Sequence, residues 1–268
     1  MRWTLIGCVV AGVALIVGLV LRFGGSPPEA RSYPQATPES ALEAAFEMIE
    51  SGDAGRLPDL LHSDSDAMRA AFDELALLCN ELQEVAEAAH EAFPEEAARL
   101  RDAFRDDPGG TLAALRPGRG SIDPSGGPGR EMMRAILADP YGWLLAFRGR
   151  FTAVTIDDTR AAVQFDGKPV MGVGLLMRKG DDDRWRIELP LRFPGSSAFT
   201  PQNDDEWSIV GSMLRVIASA VDELEADIGA GRARDTSHAA LLAGEKALAP
   251  IVLCGIAYRQ AIEAREGR

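Results

Sequence analysis

The sequence predicts an α+β fold: an N-terminal transmembrane helix, then an antiparallel sheet with packed helices, a long helical insert and a C-terminal helical pair. Three observations predict it. Nineteen consecutive uncharged residues run from Trp3 to Leu21; apolar residues recur at the helical period between Leu42 and about residue 104, and again from Ile209; and the period falls to two between Trp143 and Leu189. With 268 residues, 46% hydrophobic and 26% charged, the chain can bury the core of one or two domains.

At a rise of about 1.5 Å per residue, WTLIGCVVAGVALIVGLVL makes a helix close to a bilayer's hydrocarbon thickness. A signal peptide has a shorter apolar run that ends in small residues. This one stops at Arg22-Phe23, with Pro27 and Pro28 close behind, so residues 1–23 read as an uncleaved anchor. Leu5-Ile6-Gly7-Cys8 resembles a bacterial lipobox, but most of the apolar stretch follows the cysteine, which makes Cys8 an ordinary membrane residue. Arg2 before the span and Arg22 and Arg31 after it nearly balance the positive-inside rule. A two-residue head carries no folded domain, so the expectation is a single pass in the inner (cytoplasmic) membrane with an extracytoplasmic body. Residues 24–36, GGSPPEARSYPQA, have the composition of a linker.

The body divides into an α+β domain over 37–200, with a helical insert over about 64–140, and C-terminal helices over 201–268. Thr37-Pro38-Glu39 is a helix start, with Thr as N-cap, and Ser51-Gly52 is its stop. A brief helix with Leu57, Leu60 and Leu61 follows. Met68, Phe72, Leu75, Cys79, Leu82, Ala86, Ala89 and Phe93 form a longer apolar seam, continued by Ala97, Leu100 and Phe104 beyond the break at Pro94. This seam faces a partner within the chain or, as the alternative, builds a homo-oligomeric scaffold. Residues 108–130 hold seven glycines and four prolines and are expected to be a loop, before a short helix from Glu131 to Ala138.

From Trp143 the alternation places Phe147, Phe151 and Ala153 opposite Arg148, Arg150 and Thr152. Asp166-Gly167 is a hairpin signal, Met171, Val173, Leu175 and Met177 share a face, and Trp185, Ile187 and Leu189 alternate with Arg184, Arg186 and Glu188. Asn203 and Glu206 pair as a helix cap. A last helix runs from near Thr236 past Pro250 to about Glu266, and its apolar stretch Ala247 to Tyr258 is expected to be buried.

The opening TPESALEAAFEMIESGDAGRLPDLL and the close AAVQFDGKPVMGVGLLMRKGDDDRWRIELP resemble the nuclear transport factor 2-like superfamily of cone-shaped α+β domains, over about 37–62 and 143–191. The departures are an insert of some 80 residues between the opening helices and the sheet, and about 65 helical residues after it. The combination also resembles envelope proteins of planctomycete-type bacteria. The resemblance implies a concave pocket that hosts isomerases, dehydratases, hydrolases or plain binding modules.

The formal charge is −13, and −15 once Arg2 and Arg22 are set aside, which argues against nucleic acid or an anionic lipid surface as partner of the body as a whole. Three cysteines and three histidines stand without metal-ligand spacing, and no cofactor motif is present. His62, Asp64 and Asp66 are three potential metal ligands in five residues, or else a helix end and the next N-cap. Cys79 and Cys254 read as inert thiols or, in an exported body, as a disulfide. Between Arg148 and Arg192 nine Lys or Arg stand against seven Asp or Glu, so Arg148, Arg150, Arg184 and Arg186 are the candidate anion-binding residues. Tyr141, Asp157 and Asp158 are the candidate pocket residues. The expected role is a ligand- or protein-binding module of the envelope, with a pocket-based enzyme or a homo-oligomeric scaffold as alternatives.

Overall fold

The computed structural model describes residues 31–106, 128–170, 174–191 and 200–266. The expected anchor, most of the linker, most of the glycine-proline loop, Met171 and Val173 lie outside the described residues. What is described is a mixed α+β fold built on an antiparallel sheet.

Helix α1 (Pro38–Glu50) starts as the sequence predicts: the Thr37 hydroxyl accepts from the Ser40 amide while the Ser40 hydroxyl accepts from the Thr37 amide, a closed capping box. A 3-10 helix (Ala54–Leu60) follows. Helix α2 (Asp66–Ala92) is capped by Ser65 and ends ahead of Pro94, where α3 (Pro94–Asp106) begins. Helix α4 (Pro128–Ala138) starts three residues before the expected Glu131, because a proline at the first helical position has no amide to leave unbonded.

A short helix α5 (Gly142–Ala146) corrects the strand expected from Trp143. The Asp139 carboxylate accepts from the Gly142 amide at 2.7 Å and folds the chain into a helical turn, so the sheet begins only at β1 (Phe151–Asp157). Strands β2 (Arg160–Phe165), β3 (Lys168–Pro169), β4 (Leu175–Lys179) and β5 (Trp185–Glu188) complete it. The order is β1-β2-β4-β5, with β3 paired to β2 beside β4. Asp166 and Gly167, at φ 50° and 71°, make the β2–β3 turn, a left-handed pair of the kind that matches strand twist.

Inward-pointing Ala161, Val163, Leu175, Met177, Trp185 and Ile187 are all buried. They share one core with Phe46 and Ile49 of α1, Leu57 and Leu60 of the 3-10 helix, and Phe72, Leu75 and Cys79 of α2. Helix α6 (Asp204–Gly229) runs along α2. A Cβ at Gly211 would stand 3.4 Å from the Ala71 Cα, so the two backbones approach closely. The C-terminal half of α2 enters a second core with Leu137, Leu224, Ile228, Ala239 and Ala240. Burial of Met68, Phe72, Leu75, Cys79, Leu82, Ala86 and Ala89 within one chain removes that part of the seam as an oligomer contact.

Helix α7 (Thr236–Glu266) packs on α6 and corrects a second expectation. The Ala247 to Tyr258 stretch is not buried as a whole: Leu253 is 67% exposed and Ile256 50%, while Tyr258 is 2% exposed. Cys79 is buried and Cys254 half-buried, and both are free thiols, so no disulfide joins them.

Candidate functional site

The four arginines proposed for one anion-binding face do not share one. Arg148 and Arg150 lie in the turn before β1, a consequence of the α5 helix that displaced the predicted strand start. Arg148 binds Glu43 and Glu50 of α1, and Arg150 binds Asp166 and lies over the Phe165 ring at 4.4 Å. At the opposite edge of the sheet, Arg186 makes two bonds to Asp182 at 2.8 and 2.5 Å, and Arg184 reaches the same carboxylate at 4.0 Å. Three strand spacings, roughly 14 Å, separate the two edges. The bidentate Arg186 contact holds the Asp182 carboxyl down at about 2.

Tyr141 stands in the core beside the sheet, α1 and α2. Its ring is fully buried, and its hydroxyl donates to the Cys79 carbonyl at 2.8 Å. Asp157 ends β1 and Asp158 begins the β1–β2 turn. Asp157 accepts from the Thr159 amide at 3.0 Å and from Arg160, chiefly the latter holding its carboxyl at about 2.

A group that the sequence reading did not assemble lies on the outer face. The register sets Arg160 opposite Arg178, and Arg178 opposite Arg186. Directly opposed like charges destabilise a sheet unless acids intervene. Arg178 meets Asp64 at 3.5 Å, Glu188 at 3.9 Å and the His62 Nε2 at 3.1 Å. The same Nε2 lies 3.1 Å from Asp64 Oδ1. One ring nitrogen cannot accept from the guanidinium and donate to the carboxylate at once, so these contacts alternate with the imidazole tautomer. His62 is held against the sheet by its amide, which donates to the Ile187 carbonyl at 2.8 Å.

This network borders a cleft of about 550 Å³ between the outer side of β4 and β5 and the starts of α2 and α6. Met68, Leu176, Leu189 and Trp207 give it apolar walls, with His62, Asp64, Glu188 and Asp204 at its polar positions. Both flanking N-caps are filled, Ser65 by the Met68 amide and Asn203 by the Glu206 amide. The Phe72 ring stands edge-on to Trp207 at 6.0 Å and fixes the indole from behind. The arrangement suits a ligand with an apolar part and a polar end.

His62, Asp64 and Asp66 are a segment end and a helix first turn rather than a metal set, with Ser65 as the N-cap. Among the described residues the atoms that converge as metal ligands are the carboxylates of Glu81 on α2 and Asp222 and Glu225 on α6, all within 4.8 Å of one another. Burial, then the charges of Glu84, Asp222 and Glu225, push the Glu81 carboxyl up to about 7, and its Oε2 is buried without a hydrogen-bond partner. A folded-state pKa raised above the unfolded value means that the ionisation penalty is absent at pH 4, grows between about 4.5 and 7 and is complete above 7. Glu81→Gln is therefore expected to stabilise the fold at pH 8 by about 1 kcal/mol after solvent screening, and to change little at pH 4. Thermal melts of the two proteins at both pH values check this.

Comparison of the chain with known protein families, with curated proteins and with solved structures finds no match.

Proposed function

We propose that this chain is a single-pass envelope protein, held in the inner membrane by residues 1–23, whose extracytoplasmic body binds a small ligand or a partner protein. We further propose that the body is an elaborated nuclear transport factor 2-like domain. The uncharged Trp3 to Leu21 run supports the anchor, and the two motifs around the sheet support the family.

The observation that carries binding over pocket chemistry is the filling of the sheet's inner face. An enzyme on this fold needs a polar group facing a cavity there. The inner face instead packs Met177, Trp185 and Ile187 against α1 and the 3-10 helix, and the one inward polar side chain the sequence pointed to, Tyr141, is hydrogen-bonded to the backbone of α2. Among the described residues one cleft lies on the outer side of the sheet, beside Trp207, and a second, of about 380 Å³, lies between Tyr33, Met48, Asp53 and Arg184.

Two measurements test the proposal. A C-terminal tag on membrane-bound protein is expected to be digested in spheroplasts and protected in intact cells; protection until lysis places the body in the cytoplasm and overturns the topology. Native mass spectrometry of protein purified from membranes is expected to show retained ligand that Leu176→Trp, which fills the cleft, removes. Retention unchanged by Leu176→Trp rejects the cleft as the binding site.

A further inference from the structure

Helix α7 has two unlike faces. One is fastened to α6: Lys246 binds Glu223 and Asp227, Arg265 binds Glu206, and Tyr258 is buried between these ends. The other exposes Ala249, Val252, Leu253, Ile256 and Ala257. Their spacing of three, four, seven and eight residues makes one continuous apolar stripe. By length and composition the segment Thr236–Arg265 is apolar enough to cross a membrane, with 12% of its most apolar window buried. Crossing would strip Lys246 and Arg265 of their carboxylates on α6, so α7 stays alongside that helix.

We propose that the stripe rests on the surface of the lipid bilayer that holds the anchor, with α7 lying in the plane of the interface and Val252, Leu253 and Ile256 entering the acyl boundary. This rests on the membrane-anchor reading and deepens it. Residues 22–30 join the predicted span to the first described residue; fully extended, nine residues reach about 30 Å. A body of this size is about 45 Å across. The tether holds Arg31, where it enters the body, within about 30 Å of the bilayer, so the membrane is the surface that an exposed apolar face meets at the highest effective concentration.

Charge selects that face. Lys246, Arg259 and Arg265 balance Glu245, Glu263 and Glu266, which leaves α7 neutral in a chain of −13. A neutral helix with an exposed apolar stripe meets no net repulsion from lipid phosphate. Of the other exposed large apolar side chains, Val154, Ile156 and Leu176 on the sheet share their face with Arg160 and Arg178 in their ion pairs, Leu77 is on α2 and Leu241 is on α7 itself. A second copy is the weaker occupant, because five side chains fall far short of the roughly 800 Å² per partner of a stable dimer.

The test places a nitroxide at Leu253→Cys in the full chain carrying Cys8→Ser and Cys254→Ser, reconstituted in phosphatidylcholine/phosphatidylglycerol nanodiscs. Asp73→Cys, on the exposed side of α2, is the reference site; Cys79 has no exposed surface to label. Collision with oxygen relative to a water-soluble nickel complex is expected to be several-fold higher at position 253 than at 73. Equal ratios, in protein that resists alkaline extraction from the discs, overturn the docking while leaving the anchor standing. Dipolar broadening between labels at 253 assigns the stripe to a second copy and also overturns it. Failure of the chain to enter the discs rejects the anchor and the docking together.

Discussion

Replacing Glu206 by alanine is expected to destabilise the folded protein by about 3–5 kcal/mol, the range for breaking a buried ion pair from one side. Glu206 is 1% exposed and accepts from the Gln202 amide, the Asn203 side-chain amide and the Arg265 guanidinium, each at 2.8 Å. The carboxylate thus ties together the entry to α6 and the end of α7. Removing it takes this acceptor from three donors, among them Arg265, whose side chain is 23% exposed. Glu206→Gln keeps the shape and one acceptor and is expected to cost less than the alanine. Pairing it with Arg265→Met is expected to recover part of the loss, since the arginine no longer needs a carboxylate. Urea unfolding of the single and double variants measures this coupling. Hydrogen exchange should rise first in the last two turns of α7; uniform loosening of the whole body would show that the pair does not act as a fastener.

The parts of the fold that were legible in the sequence are those set by local chemistry. Thr37-Pro38 fixes a helix start because the cap and the first-turn proline act within four residues. Asp166-Gly167 fixes a hairpin because those residues reach positive φ, and Asn203 with Glu206 fixes the start of α6. Misreadings arise where a contact that the polarity pattern does not show decides. The alternation over 147–153 reads as a strand from Trp143, yet Asp139, buried at 1% exposure, bonds to the Gly142 and Tyr141 amides and turns the next residues into α5. A Cβ on Gly142 would stand 2.3 Å from that carboxylate, so the glycine was the local signal for the turn. The apolar run in α7 has no period, and a run without a period cannot say which face is buried.

The candidate cleft was less legible, for the same reason. Its wall residues come from the segment before α2, the outer side of β4 and β5, and the entry to α6, and no spacing in the chain relates them. Arg160 and Arg178 were counted in the net charge of the sheet region but not singled out. The pairing of β2 with β4 and of β4 with β5 opposes Arg160, Arg178 and Arg186, and no local signal in the chain announces the first of these pairings. His62 and Asp64 were read as metal ligands or a helix end, and neither reading placed them beside Arg178, where the His62 bond to Ile187 on β5 brings them.

Tyr141 separates a structural from a functional role most sharply. The ring is fully buried in the core shared by the sheet, α1 and α2, so Tyr141→Ala is expected to cost about 3–5 kcal/mol through lost burial and the cavity left behind. Tyr141→Phe removes only the hydroxyl. The Cys79 carbonyl that accepts it lies within α2, so the acceptor stays inside the helix ladder and the expected cost is about 1 kcal/mol. Denaturant unfolding of both variants gives the two values and their ratio. A tyrosine serving a pocket would show the opposite pattern, with phenylalanine abolishing ligand retention at little cost in stability. With the hydroxyl turned into α2, Tyr141→Phe is expected to retain ligand as the parent does, while Leu176→Trp does not. Loss of retention in Tyr141→Phe with stability unchanged would move the binding site from the Trp207 cleft to the inner side of the sheet.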